Sequence, residues 1–205
     1  TEPCNTVYGD GAVDLMVGSL IKNPGGGMAD IGGYLVGSKT AVELAGYRLS
    51  CPGTGLEVGA SLGQNRNMLR GLFYAPHTTA QALKAAHLTA YIFDELGYKV
   101  SPGPFEKRHD IIQTVTLDTP EGLTEFCRGI QAASPIDAFV TPEACEMPGY
   151  DDDVVMAAGA FVGGASIELS ADGPMRAPYI AFMQGGLTYE SARLGVMDAA
   201  DRCGE

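Results

Sequence analysis

A run of helical periodicity over residues 76–95 organises the rest of the chain. Ala80, Leu83, Ala86, Leu88, Ile92, Phe93 and Leu96 recur at roughly helical spacing, which demands a buried apolar stripe on one side of a long helix. Pro76 suits a first helical turn and Gly97 a left-handed stop. The flanking segments read as short strands and shorter helices. Residues 13–17 predict a buried strand, 33–36 a second strand, and 40–45 a short helix before a loop-rich passage through Gly53, Gly55, Gly59 and Gly63. After the long helix come a strand at 111–117 and a helix opened by Thr119 and Pro120 that runs through Ile130, with Thr119 as N-cap. Strands at 166–170 and 179–183 precede a last helix at 188–200. Alternation of this kind predicts an α/β or α+β fold with at least one mixed sheet.

Only one strand pair precedes the long helix, too little to close a domain of its own. The expectation is therefore a chain truncated at its N-terminal side. A remnant of a larger domain (residues 1–85) would join a small C-terminal α/β domain (86–205), with the boundary region near 75–97.

A formal net charge of −12 argues against nucleic acid and against anionic membrane surfaces, since both are recognised through Lys and Arg. No apolar run approaches the length needed to cross a bilayer. Cys4, Cys51, Cys127, Cys145 and Cys203 are scattered and never form a C-x-x-C pair. That suits reduced thiols in a cytoplasmic compartment. The three histidines lack zinc-site spacing, and no metal site is assigned.

Lys22 directly follows the first strand region and directly precedes a Pro-Gly-Gly-Gly turn. A nucleophilic lysine needs partial desolvation or a neighbouring cation, and a strand end under a glycine turn leaves room for a flat ring and a phosphate. Ser19 offers a hydroxyl to such a phosphate, while Gly25, Gly26 and Gly27 permit close backbone approach. The same Ser19-Leu20-Ile21-Lys22 stretch fits the S-x-x-K pattern of penicillin-binding serine enzymes. The companion S-D-N and K-T-G motifs are absent, and a strand rather than a helix leads into the serine.

The full stretch Gly18-Ser19-Leu20-Ile21-Lys22-Asn23-Pro24-Gly25-Gly26-Gly27 resembles the cofactor-lysine segment of the aluminium-resistance protein family. That family belongs to the Cys/Met-metabolism branch of fold-type I pyridoxal-phosphate (PLP) enzymes and is often labelled methionine gamma-lyase-like. The resemblance continues through Gly71-Leu72-Phe73-Tyr74-Ala75-Pro76-His77, Asp110-Ile111-Ile112-Gln113, Gly164-Ala165-Ser166-Ile167-Glu168-Leu169-Ser170 and Gln184-Gly185-Gly186-Leu187-Thr188-Tyr189. It covers essentially the whole chain.

This resemblance implies the C-terminal half of a fold-type I PLP-dependent transferase, with pyridoxal 5'-phosphate as cofactor. Lys22 would be the Schiff-base lysine and Ser19 a phosphate ligand. The implied activity is that of a carbon–sulfur lyase on a small sulfur-containing amino acid, by elimination or by replacement, in a homo-oligomer (dimer or tetramer). Arg176 occupies the place comparable to the branch's substrate-carboxylate arginine, and a planar guanidinium suits that task. The alternative is a surface arginine paired with Asp172 or Glu168. Arg108 is the second candidate; Arg66 and Arg70 are weaker candidates for the cofactor phosphate. The acidic partner of the pyridinium nitrogen, the stacking aromatic and the phosphate loop lie upstream in the family. Neither Asp10 nor Asp14 matches that acid by motif, so the fragment alone is expected to be inactive. A different class, a non-catalytic aluminium-binding protein, rests on Asp151-Asp152-Asp153, where hard oxygen donors would suit a hard cation. A run of charge is more simply a solvated loop.

Overall fold

A computed structural model describes residues 13–49, 51–57 and 60–204. Two sheets form, and helices and strands are mixed along the chain. Strands β1 (Leu15–Ser19) and β2 (Gly33–Gly37) make an antiparallel ribbon in which Leu15 pairs with Gly37 and Ser19 with Gly33. Helix α1 (Lys39–Leu49) follows, and then α2 (Gln64–Glu95). Strands β3 (Lys99–Ser101) and β4 (Gln113–Thr116) lead to α3 (Pro120–Ala132). The chain ends with β5 (Val154–Ala157), β6 (Ser170–Pro174), β7 (Ile180–Gln184) and α4 (Tyr189–Gly204). The second sheet has the order β3-β4-β7-β6-β5.

Every described strand pair is antiparallel, which corrects the expected mixed sheet. The strands alternate buried and less buried residues, as a sheet covered on one face requires. Val115, Val155, Ala171, Ala181 and Met183 point into a core closed by Phe93 of α2, Phe126 and Ile130 of α3, and Val196 of α4. Phe93 and Phe126 meet as tilted rings with centroids 5.1 Å apart. The outer face leaves Met156 and Phe182 exposed.

Several boundaries differ from expectation. The first strand lies at Leu15–Ser19 and is not buried: Val17 is 65% exposed, because β1 has a single partner and no covering layer among the described residues. The long helix begins at Gln64, a full three turns before Pro76. A proline inside a helix forfeits one hydrogen bond, at a cost of about 3 kcal/mol. Pro76 nonetheless lies inside α2, between Gly71 and Thr78, which both meet the turn after Lys22. The C-terminal end agrees with its sequence signals. Gly97 is left-handed (φ +88°), its N–H donates to Asp94, the Tyr98 N–H donates to Phe93, and the two rings pack 5.6 Å apart. This double hydrogen bond with an apolar contact is the Schellman stop.

Thr119 caps α3 as expected, its hydroxyl accepting from the Gly122 N–H at 3.0 Å. The strand expected at 166–170 is displaced to Ser170–Pro174. Residues 166–169 instead carry side chains into a joint between elements, so their apolar character reflects packing rather than pairing. Strands β3 and β5, three and four residues long, escape a periodicity argument because neither completes enough alternation.

Candidate active site

The candidate site is built where β1 ends. Its last residue, Ser19, is half-buried, and the Ser19 Oγ accepts from the Ile21 N–H at 3.3 Å. Lys22 stands in extended backbone (φ −95°, ψ −163°), and a single helical turn follows at Asn23–Gly25. That turn is pressed against two surfaces. A side chain at Gly25 would lie 1.5 Å from the Leu20 carbonyl oxygen, and one at Gly71 of α2 would lie 2.1 Å from the Gly25 carbonyl oxygen. The Thr78 hydroxyl reaches the Gly26 carbonyl at 3.2 Å. Gly25 and Gly26 therefore serve backbone-to-backbone packing, with Gly26 against Gly71 and Ala75 of α2.

The Lys22 ammonium nitrogen donates to the carbonyl of Gly164, in the loop between β5 and β6. Among the described residues it forms no ion pair. Next to it, the Asn23 Oδ1 is buried with no hydrogen-bond partner.

Three remote segments meet here through one small apolar cluster. Ala82 of α2, Ile111 ahead of β4 and Ile167 ahead of β6 are buried together, with Leu187 packed against them. Leu187 also faces Gly27, so the cluster joins the turn after Lys22 to the C-terminal sheet.

Arg108 lies in this region. Its guanidinium donates to the carbonyls of Ile112 and Ala86, each at 3.3 Å, and to the Gln113 Oε1. The Nε is buried without a hydrogen-bond partner. Burial pushes this guanidinium below its ordinary value, while the charges of Asp110 and Glu106 act the other way.

Arg176 is placed differently. It precedes β7, at the opposite end of that strand from Gly185 and Leu187. Its side chain is 68% exposed and pairs with Asp152 at 3.3 Å, not with Asp172 or Glu168. Glu168 is instead buried, its carboxylate taken up by backbone N–H groups. The structure thus brings Lys22, Ser19 and the loop around Gly164 together, and sets Arg176 apart from them.

Arg66 and Arg70 are exposed on the first turns of α2, and Asp14 is exposed just ahead of β1. Asp10 lies outside the described residues. Among the described residues no group of three or more His, Cys, Asp or Glu side chains is placed to hold a metal ion, and no helix is long and apolar enough to cross a membrane.

Sequence reasoning missed the burial of Glu168 and the neutral hydrogen-bond partners of Arg108. The signal for Glu168 was an acid inside the apolar stretch Ala165-Ser166-Ile167-Glu168-Leu169, where a charged residue enters a core only with partners.

Comparison with known proteins gives a consistent set. The chain matches the family described as methionine gamma-lyase over residues 2–204. It is 52% identical over 200 residues to the uncharacterized protein YnbB of Bacillus subtilis (strain 168), covering 98% of this chain and 46% of that protein. Among solved structures, a carbon–sulfur lyase involved in aluminium resistance from Clostridium novyi NT superimposes with a TM-score of 0.86 at 51% identity, covering 93% of this chain and 44% of the other. A candidate cystathionine beta-lyase involved in aluminium resistance from Listeria monocytogenes gives 0.90 at 50% identity, with 93% and 47% covered. The chain spans about half the length of these relatives.

Proposed function

Because this chain belongs to the methionine gamma-lyase family, we propose that it is the Lys22-bearing part of a PLP-dependent carbon–sulfur lyase. The observation that carries this reading is the setting of the Lys22 amine. It leaves the end of β1 beside Ser19 and is held by a backbone carbonyl, with no carboxylate ion-paired to it among the described residues. A lysine locked to a carboxylate is a poor nucleophile and base, whereas one held by a neutral oxygen can give up its proton.

The residues present fit the cofactor. The Ser19 hydroxyl, already an acceptor from Ile21, retains its own proton to donate to a phosphate oxygen. The unpartnered Asn23 Oδ1 is a buried acceptor next to the lysine in sequence, which only a hydrogen-bond donor of an incoming group, not its phosphate oxygens, would complete. When bound, PLP supplies a carbonyl that captures amines and a ring that accepts electrons from the substrate's Cα. Lys22, once its amine is free, acts as the general base that moves protons at Cα and Cβ. The substrate class is a small sulfur-containing amino acid, with elimination as the first reading of the reaction and replacement the second.

For the substrate carboxylate, Arg176 is the choice by position in the sequence, but its side chain already has Asp152. The environment favours Arg108, because its hydrogen bonds go to neutral oxygens and no described carboxylate is ion-paired with it. The division into residues 1–85 and 86–205 is part of the same proposal, with α2 spanning the division. So is assembly into a homo-oligomer, supported by the exposure of Leu69, Leu72 and Phe73 on α2.

The test is borohydride reduction and peptide mapping of the longest natural chain containing this sequence, supplied with PLP. A pyridoxyl adduct is expected on Lys22, and Lys22→Ala should lose both the adduct and turnover. A folded chain with no adduct at Lys22, or full turnover in Lys22→Ala, removes the assignment.

A further inference from the structure

Glu168 is a carboxylate with 2% of its surface exposed, and no described cation pairs with it. A buried carboxylate is costly unless its oxygens are hydrogen-bonded, and an apolar side chain of similar size would fill the space without that cost. What the carboxylate does here is specific. Its two oxygens accept from two consecutive backbone donors, the Phe161 N–H at 2.8 Å and the Val162 N–H at 3.0 Å. Val162 in turn accepts from the Ala165 N–H at 3.0 Å, closing a turn across Gly163 and Gly164. Gly164 is left-handed (φ +80°), and its carbonyl is the acceptor for the Lys22 amine.

The backbone of Glu168 is fixed as well. The Gly186 N–H donates to the Ile167 carbonyl at 2.9 Å. A side chain at Gly185 (φ +80°) would lie 2.1 Å from the Glu168 carbonyl oxygen. Ile167 is buried beside Ala82 and Ile111. The carboxylate is therefore a rigid post from which one turn of the loop hangs, and that turn carries the oxygen that holds the lysine.

We infer that Glu168 is a positioning residue for Lys22: its carboxylate fixes residues 161–165 so that the Gly164 carbonyl holds the free Lys22 amine. The inference rests on the reading of Lys22 as the reactive lysine, and it concerns the chain without cofactor.

The experiment measures acetylation by acetic anhydride at each lysine of the longest natural chain, free of PLP, by peptide mass spectrometry. Lys39, Lys84, Lys99 and Lys107 serve as internal references. A hydrogen bond to the amine holds it in place and away from the reagent. Glu168→Gln, which keeps one acceptor oxygen and places an amide NH2 against one of the two N–H donors, should raise the Lys22 rate about threefold or more relative to the other lysines, on the scale of one lost charge-assisted hydrogen bond. Gly164→Ala should do the same by moving the acceptor itself: its new methyl group would meet nothing within 4 Å, so packing is kept, but φ +80° is a conformation that an L side chain rarely adopts, so the peptide shifts.

A purely structural role for Glu168 would not single out Lys22 in a folded chain. An unchanged Lys22 rate in folded Glu168→Gln overturns the inference. If that variant does not fold, an unchanged rate in Gly164→Ala overturns it. The result is independent of the cofactor assignment. A missing pyridoxyl adduct with an altered Lys22 rate removes only the PLP reading, and an adduct with an unchanged rate removes only the role of Glu168.

Discussion

A guanidinium taken out of water needs either a counter-charge or a full set of acceptors, and two arginines of this chain meet that need differently. Arg176 has Asp152 and broad solvent exposure, so an incoming carboxylate would gain little there. Arg108 has neutral oxygens from Ala86, Ile112 and Gln113 and a buried Nε without a partner. Replacing the planar fork by an ammonium keeps the charge and loses the bidentate geometry. Arg108→Lys is therefore expected to raise the amino-acid KM by about tenfold or more with a smaller change in kcat, the scale of one charge-assisted hydrogen bond. Arg176→Ala should leave KM within about twofold. The reverse pattern in steady-state kinetics of the longer natural chain would return the carboxylate role to Arg176. Both arginines were legible as candidates from residue type and position. The ranking proposed here was not, because it rests on Asp152 and Ala86, which only folding brings alongside.

Helices α3 and α4 are joined by packing and by charge. Gly129 lets them approach so closely that an added side chain would lie 2.4 Å from the Ala199 backbone. At the edge of this contact Glu125 of α3 accepts from Arg128 at 2.6 Å and from Arg202 of α4 at 3.3 Å. The hydrogen bond from Arg128 is the largest influence holding the Glu125 carboxyl below its usual value; partial burial opposes it, and Arg202 adds to it. A folded-state pKa below the unfolded value stabilises the fold at pH above the ordinary 4.5, and this contribution is lost as pH falls through the folded value. Glu125→Gln is expected to cost under about 1 kcal/mol near neutral pH, since the pair is partly exposed. The cost should shrink toward zero in acid. Thermal unfolding of the two proteins at several pH values checks this, and a difference independent of pH would mean that packing, not charge, carries the effect. The cap at Thr119 and the stop at Gly97 were readable beforehand because each signal sits within a few residues. The start of α2 was not, because Pro76 reads as a beginning until the seat of Gly71 on the turn after Lys22 is known.

Across the molecule the two sheets differ in support. The five-stranded sheet is covered by α2, α3 and α4 around a continuous core, whereas among the described residues β1 and β2 pair only with each other and leave Val17 and Val36 exposed. A two-stranded ribbon is marginal in water unless something packs on it. In hydrogen exchange of the 205-residue chain, the β1–β2 amides are expected to exchange at least about tenfold faster than those of β4 and β7, reflecting local opening against near-global opening. Equal protection of both sheets would show that the turn after Lys22, seated on α2, locks the ribbon as firmly as the core. That seat, the cluster of Ala82, Ile111, Ile167 and Leu187, and the bond from the Lys22 amine to Gly164 link the lysine to the larger sheet.

The sequence by itself determined the family, the lysine segment and the local signals that start and stop helices. All of these are written in residues adjacent along the chain, where bond geometry and capping act directly. Only the tertiary structure decided that the described strands run antiparallel, that Gly25 and Gly26 pack on α2, that the hydrogen bonds of Arg108 go to neutral oxygens and that Glu168 holds the loop above Lys22. Lys22 and Gly164 are separated by 142 positions. The contact between them depends on how two apolar surfaces close over one another, and that depends on the shape of the whole core rather than on any short stretch of sequence.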